Sequence, residues 1–260
     1  MSKTASATPR NRTSGVDRTL QILDMLSGRG APASAYDIAK TIGAPLSTIY
    51  SLVDELTERG MLTRPDDKLV WLGPRLMRYG LAYESGMDLF SEAKHEMNRL
   101  ARLLGETIQV CYRDDGDMVV AAMADGDGHF RISSDVGARV PLNWTASGRL
   151  LVGHLSDAER LAIFREISQP SHTGLAETDP RKLARQAADD FRARLAVQLG
   201  ASEFAVACIA SPIRDAAGAC VLTISVVLAE PKARAHLDRY AQAVKNAASK
   251  VEQALGQSAA

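Results

Sequence analysis

Asp37-Ile38-Ala39-Lys40-Thr41-Ile42-Gly43-Ala44-Pro45-Leu46-Ser47-Thr48-Ile49-Tyr50 is the stretch on which the reading of this chain turns. Two helices that cross steeply need a small residue where they meet, and Ala39 supplies it. The turn between them needs a residue that tolerates positive φ, which is Gly43. An apolar anchor must then seat the second helix, and Ile49 does so. Ser34 and Asp37 have the spacing of a capping pair and start the first of these helices. The second, over 46–59, buries Ile49, Leu52, Val53 and Leu56. Ser47, Ser51 and Asp54 therefore fall on the opposite face, flanked by Thr48 and Tyr50.

Upstream, Val16, Leu20, Leu23 and Leu26 recur at helical spacing until Gly28-Arg29-Gly30-Ala31-Pro32 breaks the run. Downstream, extended runs at 61–64 and 69–72 are joined by the turn Pro65-Asp66-Asp67-Lys68. Three helices followed by a hairpin predict a winged helix-turn-helix over 14–73, whose last helix meets a major groove with Ser47, Thr48, Tyr50 and Ser51. The hairpin would be the wing, aiming Arg64 and Lys68 at phosphate or minor groove. The order of elements leaves a packing or protein-interaction module as the alternative.

Residues 1–13 carry Lys3, Arg10 and Arg12 without an acid and read as a disordered basic arm. Residues 74–86 read as a linker helix, with Leu76, Tyr79, Leu81 and Tyr83 as apolar surface for pairing. Over 87–260 the periodicity predicts a helix at 87–104 and strands at 107–113, 118–125 and 129–133. Helices follow at 146–155 and 156–167, and Asp179-Pro180 opens a long helix expected to run to Leu199. A hairpin of strands 205–213 and 220–228 and a terminal helix over 231–255 complete an α+β domain with helices on a mostly antiparallel sheet.

Composition excludes more than it assigns. Apolar residues make up 46% and charged residues 24%, ordinary globular values. No apolar run approaches the ~18 residues of a membrane span, and the N-terminus lacks an apolar signal core, so a cytoplasmic protein without membrane contact is expected. Cys111, Cys208 and Cys220 show neither disulfide nor metal spacing. Residues 1–80 hold 11 Lys/Arg against 8 Asp/Glu, and the remainder 20 against 23, which is a weak electrostatic footprint for nucleic acid.

Several segments resemble the IclR family of bacterial regulators. Val16-Asp17-Arg18-Thr19-Leu20-Gln21-Ile22-Leu23 is similar to its opening helix, and Asp37-Ile38-Ala39-Lys40, Ser47-Thr48-Ile49-Tyr50 and Leu72-Gly73-Pro74-Arg75-Leu76 follow in family order. Val136-Gly137-Ala138-Arg139-Val140-Pro141-Leu142, Thr145-Ala146-Ser147-Gly148-Arg149, Ile209-Ala210-Ser211-Pro212-Ile213 and Thr223-Ile224-Ser225 resemble its effector domain. The resemblance spans about residues 14–255. It implies a winged helix-turn-helix, a linker helix and a GAF-like effector domain. It also implies homodimers or dimers of dimers on palindromic operators in double-stranded promoter DNA, controlling uptake or breakdown of organic acids or aromatic compounds. Phosphate attraction would fall to the arm, to Arg18 and to the wing. Aligned on the family, Ala146, Ser147, Cys208 and Ser225 match effector-pocket positions, and Val227 and Gln198 stand where a serine and an acid are usual. Trp144 and Val206 would add apolar contact. Ser51 stands where the family usually has arginine, leaving no base in the third helix before Arg59.

Arg131, Arg139 and Arg149 are candidates to clamp an anion, though solvated element ends explain each more simply. The five histidines lack metal spacing, so neither metal nor cofactor is expected, and no catalytic residue is assigned. Two other functions stay open: a GAF-like thiol redox enzyme, which needs a low-pKa cysteine beside a resolving one, and a DNA-independent scaffold, suggested by the acidic third helix.

Overall fold

The computed structural model describes residues 14–85, 88–127 and 135–258. The predicted arm and the predicted strand at 129–133 lie outside these. The chain divides into two compact units at Gly86/Met87.

In the first unit, α1 (Gly15–Arg29) starts at a reciprocal cap: the Asp17 N–H donates to Ser14 Oγ and the Ser14 N–H to the Asp17 carboxylate, both at 3.0 Å. A two-residue strand, β1 (Ala33–Ser34), leads into α2 (Ala35–Ile42), capped by Ser34. Gly43 then adopts φ 64°, the left-handed turn that sets α3 (Leu46–Glu58) across α2. β2 (Leu62–Thr63) and β3 (Leu69–Leu72) form the wing hairpin, and β1 adds to it in the order β1-β3-β2, with Ala33 opposite Val70 and Leu62 opposite Leu72. Ile22, Leu26, Ile38, Ala39, Ile49, Val53, Leu62 and Val70 close one core. A side chain on Gly73 would strike the backbone of Gly60 and Leu62, so glycine lets the chain leave the wing and enter α4 (Pro74–Ser85).

The second unit opens with α5 (Asp88–Leu104). Strands β4 (Thr107–Asp114), β5 (Asp117–Ala124) and β6 (Arg139–Pro141) precede a 3-10 turn at Leu142–Trp144. Helices α6 (Ala146–Gly153), α7 (Asp157–Ile167) and α8 (Pro180–Ala193) follow. β7 (Ala196–Leu199), β8 (Val206–Arg214), β9 (Cys220–Ala229), α9 (Glu230–Ala235) and α10 (Leu237–Ser258) complete the unit. The six strands run antiparallel in the order β6-β5-β4-β9-β8-β7.

Helices cover both faces of this sheet. Ile108, Val110, Ile209, Ile224 and Val226 pack with Leu100, Tyr240 and Val244 of α5 and α10. The alternate residues Cys111, Cys208, Ala210 and Val227 pack with Leu150, Leu151, Phe164 and Leu183 of α6, α7 and α8. Two-sided burial explains why β8 and β9 read as almost unbroken apolar runs.

Two expectations are corrected here. The helix opened at Pro180 stops at Ala193, and 196–199 is an edge strand, with Ala196 opposite Ala210 and Leu199 opposite Ala207. Arg194 ends the helix at φ 56°, held by a Ser211 Oγ–H bond to its carbonyl (3.0 Å) and by its own bond to Glu252 (2.9 Å). The terminal helix is divided at His236 into α9 and α10.

Glu252 joins α10 to the sheet by accepting from the Arg214 N–H (2.9 Å) and from the Arg214 and Arg194 guanidinium groups. Burial alone would push its carboxyl up, but these bonds override it and hold it below the ordinary glutamate range. Its contribution is therefore present above that range and lost as pH falls through the depressed folded value. Glu252→Gln should cost about 1.5–3 kcal/mol near neutrality. The deficit against wild type should shrink in acid, as read from denaturant midpoints at the two pH values.

Candidate functional site

Each unit contributes one site. In the first, α3 has no side-chain cap at Pro45, so its first-turn N–H groups stay uncommitted to a cap, and Ser47, Thr48, Tyr50 and Ser51 are all exposed. The buried Ile49, Val53 and Leu56 fix this phase. Lys68 is exposed at the wing turn, which is tightened by Asp66 accepting from the N–H groups of Lys68 (2.8 Å) and Leu69 (2.7 Å). Arg18 is half-buried and donates to Gln21 Oε1 (3.1 Å) and to the Ile42 carbonyl (3.3 Å), at the end of α2. Arg64 is bonded to Asp54 at 2.6 Å, so its guanidinium lies against α3. From the sequence, Asp54 counted as one of the acids of the third helix and as a member of its exposed stripe, without a partner assigned to it.

In the second unit a cavity of about 380 Å³ lies between the sheet and the start of α6. Ser147, Cys208, Val227 and Trp144 line it together, with Val206, while Ala146 and Ser225 are fully buried and are not on its wall. Thr145 caps α6 by accepting from the Gly148 N–H (2.8 Å). A side chain on Gly148 would strike the Leu142 backbone, so glycine allows α6 to sit against the 3-10 turn. The N–H groups of Ala146 and Ser147 face the Cys208 sulfur. The Ser147, Thr223 and Ser225 hydroxyls are buried and make no hydrogen bond; their polar neighbours are the thiols of Cys111 and Cys208, which are weak partners.

Apolar walls come from Met118, Val120 and Val140. Trp144 spends its Nε1–H on the Gln169 carbonyl (2.9 Å) and meets His172 edge-on at 6.0 Å, leaving ring surface to the cavity. Gln109, a polar residue inside an apolar strand, was a legible signal for the wall that the sequence reading did not use. His172 gave none.

The proposed arginine clamp does not assemble among the described residues. Arg139 touches the cavity but pairs with Asp114 and with Asp117 (3.1 Å). Arg149 is buried and bonded to Asp190 (2.7 Å) and the Val197 carbonyl (2.8 Å), and Arg131 lies outside the described residues. Gln198 is off the wall, its carboxamide facing the N–H groups of Ala201 and Ser202. A larger groove, about 620 Å³, runs between α7 and α8, but it is open and two of its arginines, Arg160 and Arg192, are paired with Asp157 and Asp189.

A DNA-reading helix in one unit and a ligand-sized cavity in the other define a ligand-responsive DNA-binding transcription regulator. Residues 15–66 match the IclR helix-turn-helix domain and residues 81–253 match the bacterial transcriptional regulator IclR C-terminal domain. The chain belongs to the IclR family. It is 27% identical over 246 residues to the HTH-type transcriptional repressor AllR of Escherichia coli K12, covering 93% of this chain and 90% of that protein. Its identity to AllR of Salmonella typhimurium is 27% over 257 residues, covering 97% and 93%. Among solved structures, it resembles an IclR homolog of Microbacterium hydrocarbonoxydans complexed with 4-hydroxybenzoate, with TM-score 0.83, 24% identity and coverage of 94% of this chain and 100% of that one. The IclR regulator of Alicyclobacillus acidocaldarius gives TM-score 0.81 and 22% identity, covering 92% and 98%.

The thiols carry a further consequence. Burial pushes Cys208 up to about 11, against the Ser225 hydroxyl, the Arg149 charge and the α6 N–H groups, which pull it down; burial raises Cys111 and Cys220 too. Thiolate chemistry needs the reverse. All three cysteines should react slowly with an aromatic disulfide near pH 8 in the native protein and rapidly in denaturant. Stoichiometric native labelling within seconds would revive the redox reading.

Proposed function

We propose that this regulator binds palindromic promoter DNA as a homodimer or dimer of dimers in the cytoplasm, and is not an enzyme. It controls uptake or breakdown of a small organic acid or aromatic compound that it senses in the cavity of the second unit. The observation that carries the ligand class is the amphipathic cavity. Apolar sheet residues and the Trp144 ring form one side, and the start of α6, with the unbonded Ser147 hydroxyl, forms the other. A helix N-terminus favours negative charge, so an acid group at α6 and an apolar body against Val120, Val140 and Val227 match the walls. The 4-hydroxybenzoate held by the Microbacterium homolog has this character, and the repressor function of AllR supports repression over activation. Ala146 and Ser225 would act from behind the wall, by placing Ser147 and Cys208.

For DNA, Ser47, Thr48, Tyr50 and Ser51 read the groove while Lys68 and the partly engaged Arg18 meet the backbone. One winged helix covers only a half-site, so pairing is required. The exposed Met77, Tyr79 and Leu81 on the linker helix α4 support it.

Replacing Ser47 and Ser51 together with alanine should lower operator affinity roughly tenfold or more and leave thermal unfolding unchanged; equal affinity would remove α3 as the reader. Val227→Phe, which fills the cavity, should abolish the thermal shift and calorimetric heat given by substituted benzoates and short carboxylic acids while sparing operator binding. A variant that binds these ligands as wild type does would place the effector elsewhere.

A further inference from the structure

The exposed stripe of α3 holds Ser47, Ser51 and Asp54 at i, i+4 and i+7. It lacks a basic residue before Arg59, and Arg59 is itself bound to Glu55 through Nε (3.0 Å) and Nη2 (2.8 Å). Serine hydroxyls accept or donate to any base edge, whereas a guanidinium selects guanine through O6 and N7. Among the described residues, the guanidinium bonded to this stripe comes from another element. Arg64, the residue after β2, donates from Nη2 to Asp54 Oδ1 at 2.6 Å. The bond engages Nη2 alone, and Nε and Nη1 make no hydrogen bond among the described residues. The side chains are 34% and 63% exposed, so the pair stands at the surface beside Ser51 rather than inside the core.

We infer that Asp54 is a positioning residue that holds the wing arginine Arg64 over the reading face of α3, where it reads a guanine adjacent to the bases met by Ser51. This changes the destination of Arg64 from phosphate or minor groove to the major groove. It rests on the reading of α3 as the helix that enters that groove. Three physical terms support it. Fixing a long side chain before binding removes part of its ordering cost. A guanidinium bonded on one edge still has N–H groups to offer a base. The acid neutralises Arg64 for phosphate, and its own charge repels a phosphate that displaces the pair, which penalises misaligned complexes.

The test is selection of duplexes from a randomised library by the full chain, followed by competitive titration on the selected site. Wild type should select a guanine at one position of each half-site. Arg64→Ala, Arg64→Lys and Asp54→Ala should each lose that preference by roughly tenfold or more, with preferences elsewhere kept. Asp54→Glu should restore part of it, and the double alanine variant should match Arg64→Ala alone. An exposed pair contributes little to stability, so all variants should unfold as wild type does. The inference is overturned if Asp54→Ala keeps the guanine preference, weakens binding evenly at every position, or merely raises affinity. If the Ser47/Ser51 double variant alters the selected site and Asp54→Ala does not, this inference alone fails. If neither alters it, or wild type selects no sequence, the reading of α3 fails with it.

Discussion

Burial of both faces of one antiparallel sheet is the constraint on which the second unit depends. Six strands covered by α5 and α10 on one side and by α6–α8 on the other leave few places for a polar atom to meet water. Each hydroxyl or amide on these strands must find a partner or carry a cost of about 1–3 kcal/mol. Gln109, Thr223 and Ser225 nevertheless stand on the face toward α6, together with Cys111 and Cys208, whereas the opposite face is aliphatic apart from Ser211, whose hydroxyl donates to the Arg194 carbonyl. The strand hydroxyls that make no hydrogen bond, those of Thr223 and Ser225, thus stand on the side where the cavity opens. The start of α6 completes the same zone, since Gly148 permits the close approach that brings Ser147 over the strands.

How far this was legible in the chain varies by element for physical reasons. The caps Ser34 and Asp179 mark helix starts through local bonds, and the structure forms both of them. The end of α8 was illegible because it is set from outside: Arg194 takes a left-handed conformation with no glycine or proline to announce it, and its partners Ser211 and Glu252 are remote in sequence. A three-residue strand such as β6 is too short to show a period. The exposed face of α3 followed from helical phase alone. The cavity did so in part, because strand alternation tells which face Ser225 and Val227 share but not which of them a helix covers.

Charge in both units is largely spent internally. Arg149, Arg194 and Arg214 are tied to half-buried acids, Arg160 to the carbonyls of Gly153, Leu155 and Ala184 and to the exposed Asp157, and Arg59 and Arg64 to acids of α3. Buried pairs of this kind resist removal of one partner more than they add net stability. On the proposed function, recognition then falls to hydroxyls, backbone N–H groups and apolar surface, with Arg64 the one paired cation that also meets a base, and these discriminate by shape and distance more than by long-range attraction. The balanced composition of the whole chain is consistent with that division of labour.

The alternation along β8 and β9 also bears on how such a protein diverges. Cys208 and Val227 face the cavity, while their immediate neighbours Ala207, Ile209, Val226 and Leu228 face α5 and α10. On the proposed function, residues adjacent in the gene thus serve different ends, one set the ligand and the other packing. The reading helix has its own core in a separate unit. On that reading, a substitution at a cavity position changes chemical preference without touching the packing toward α5 and α10 or the core beneath the helix-turn-helix.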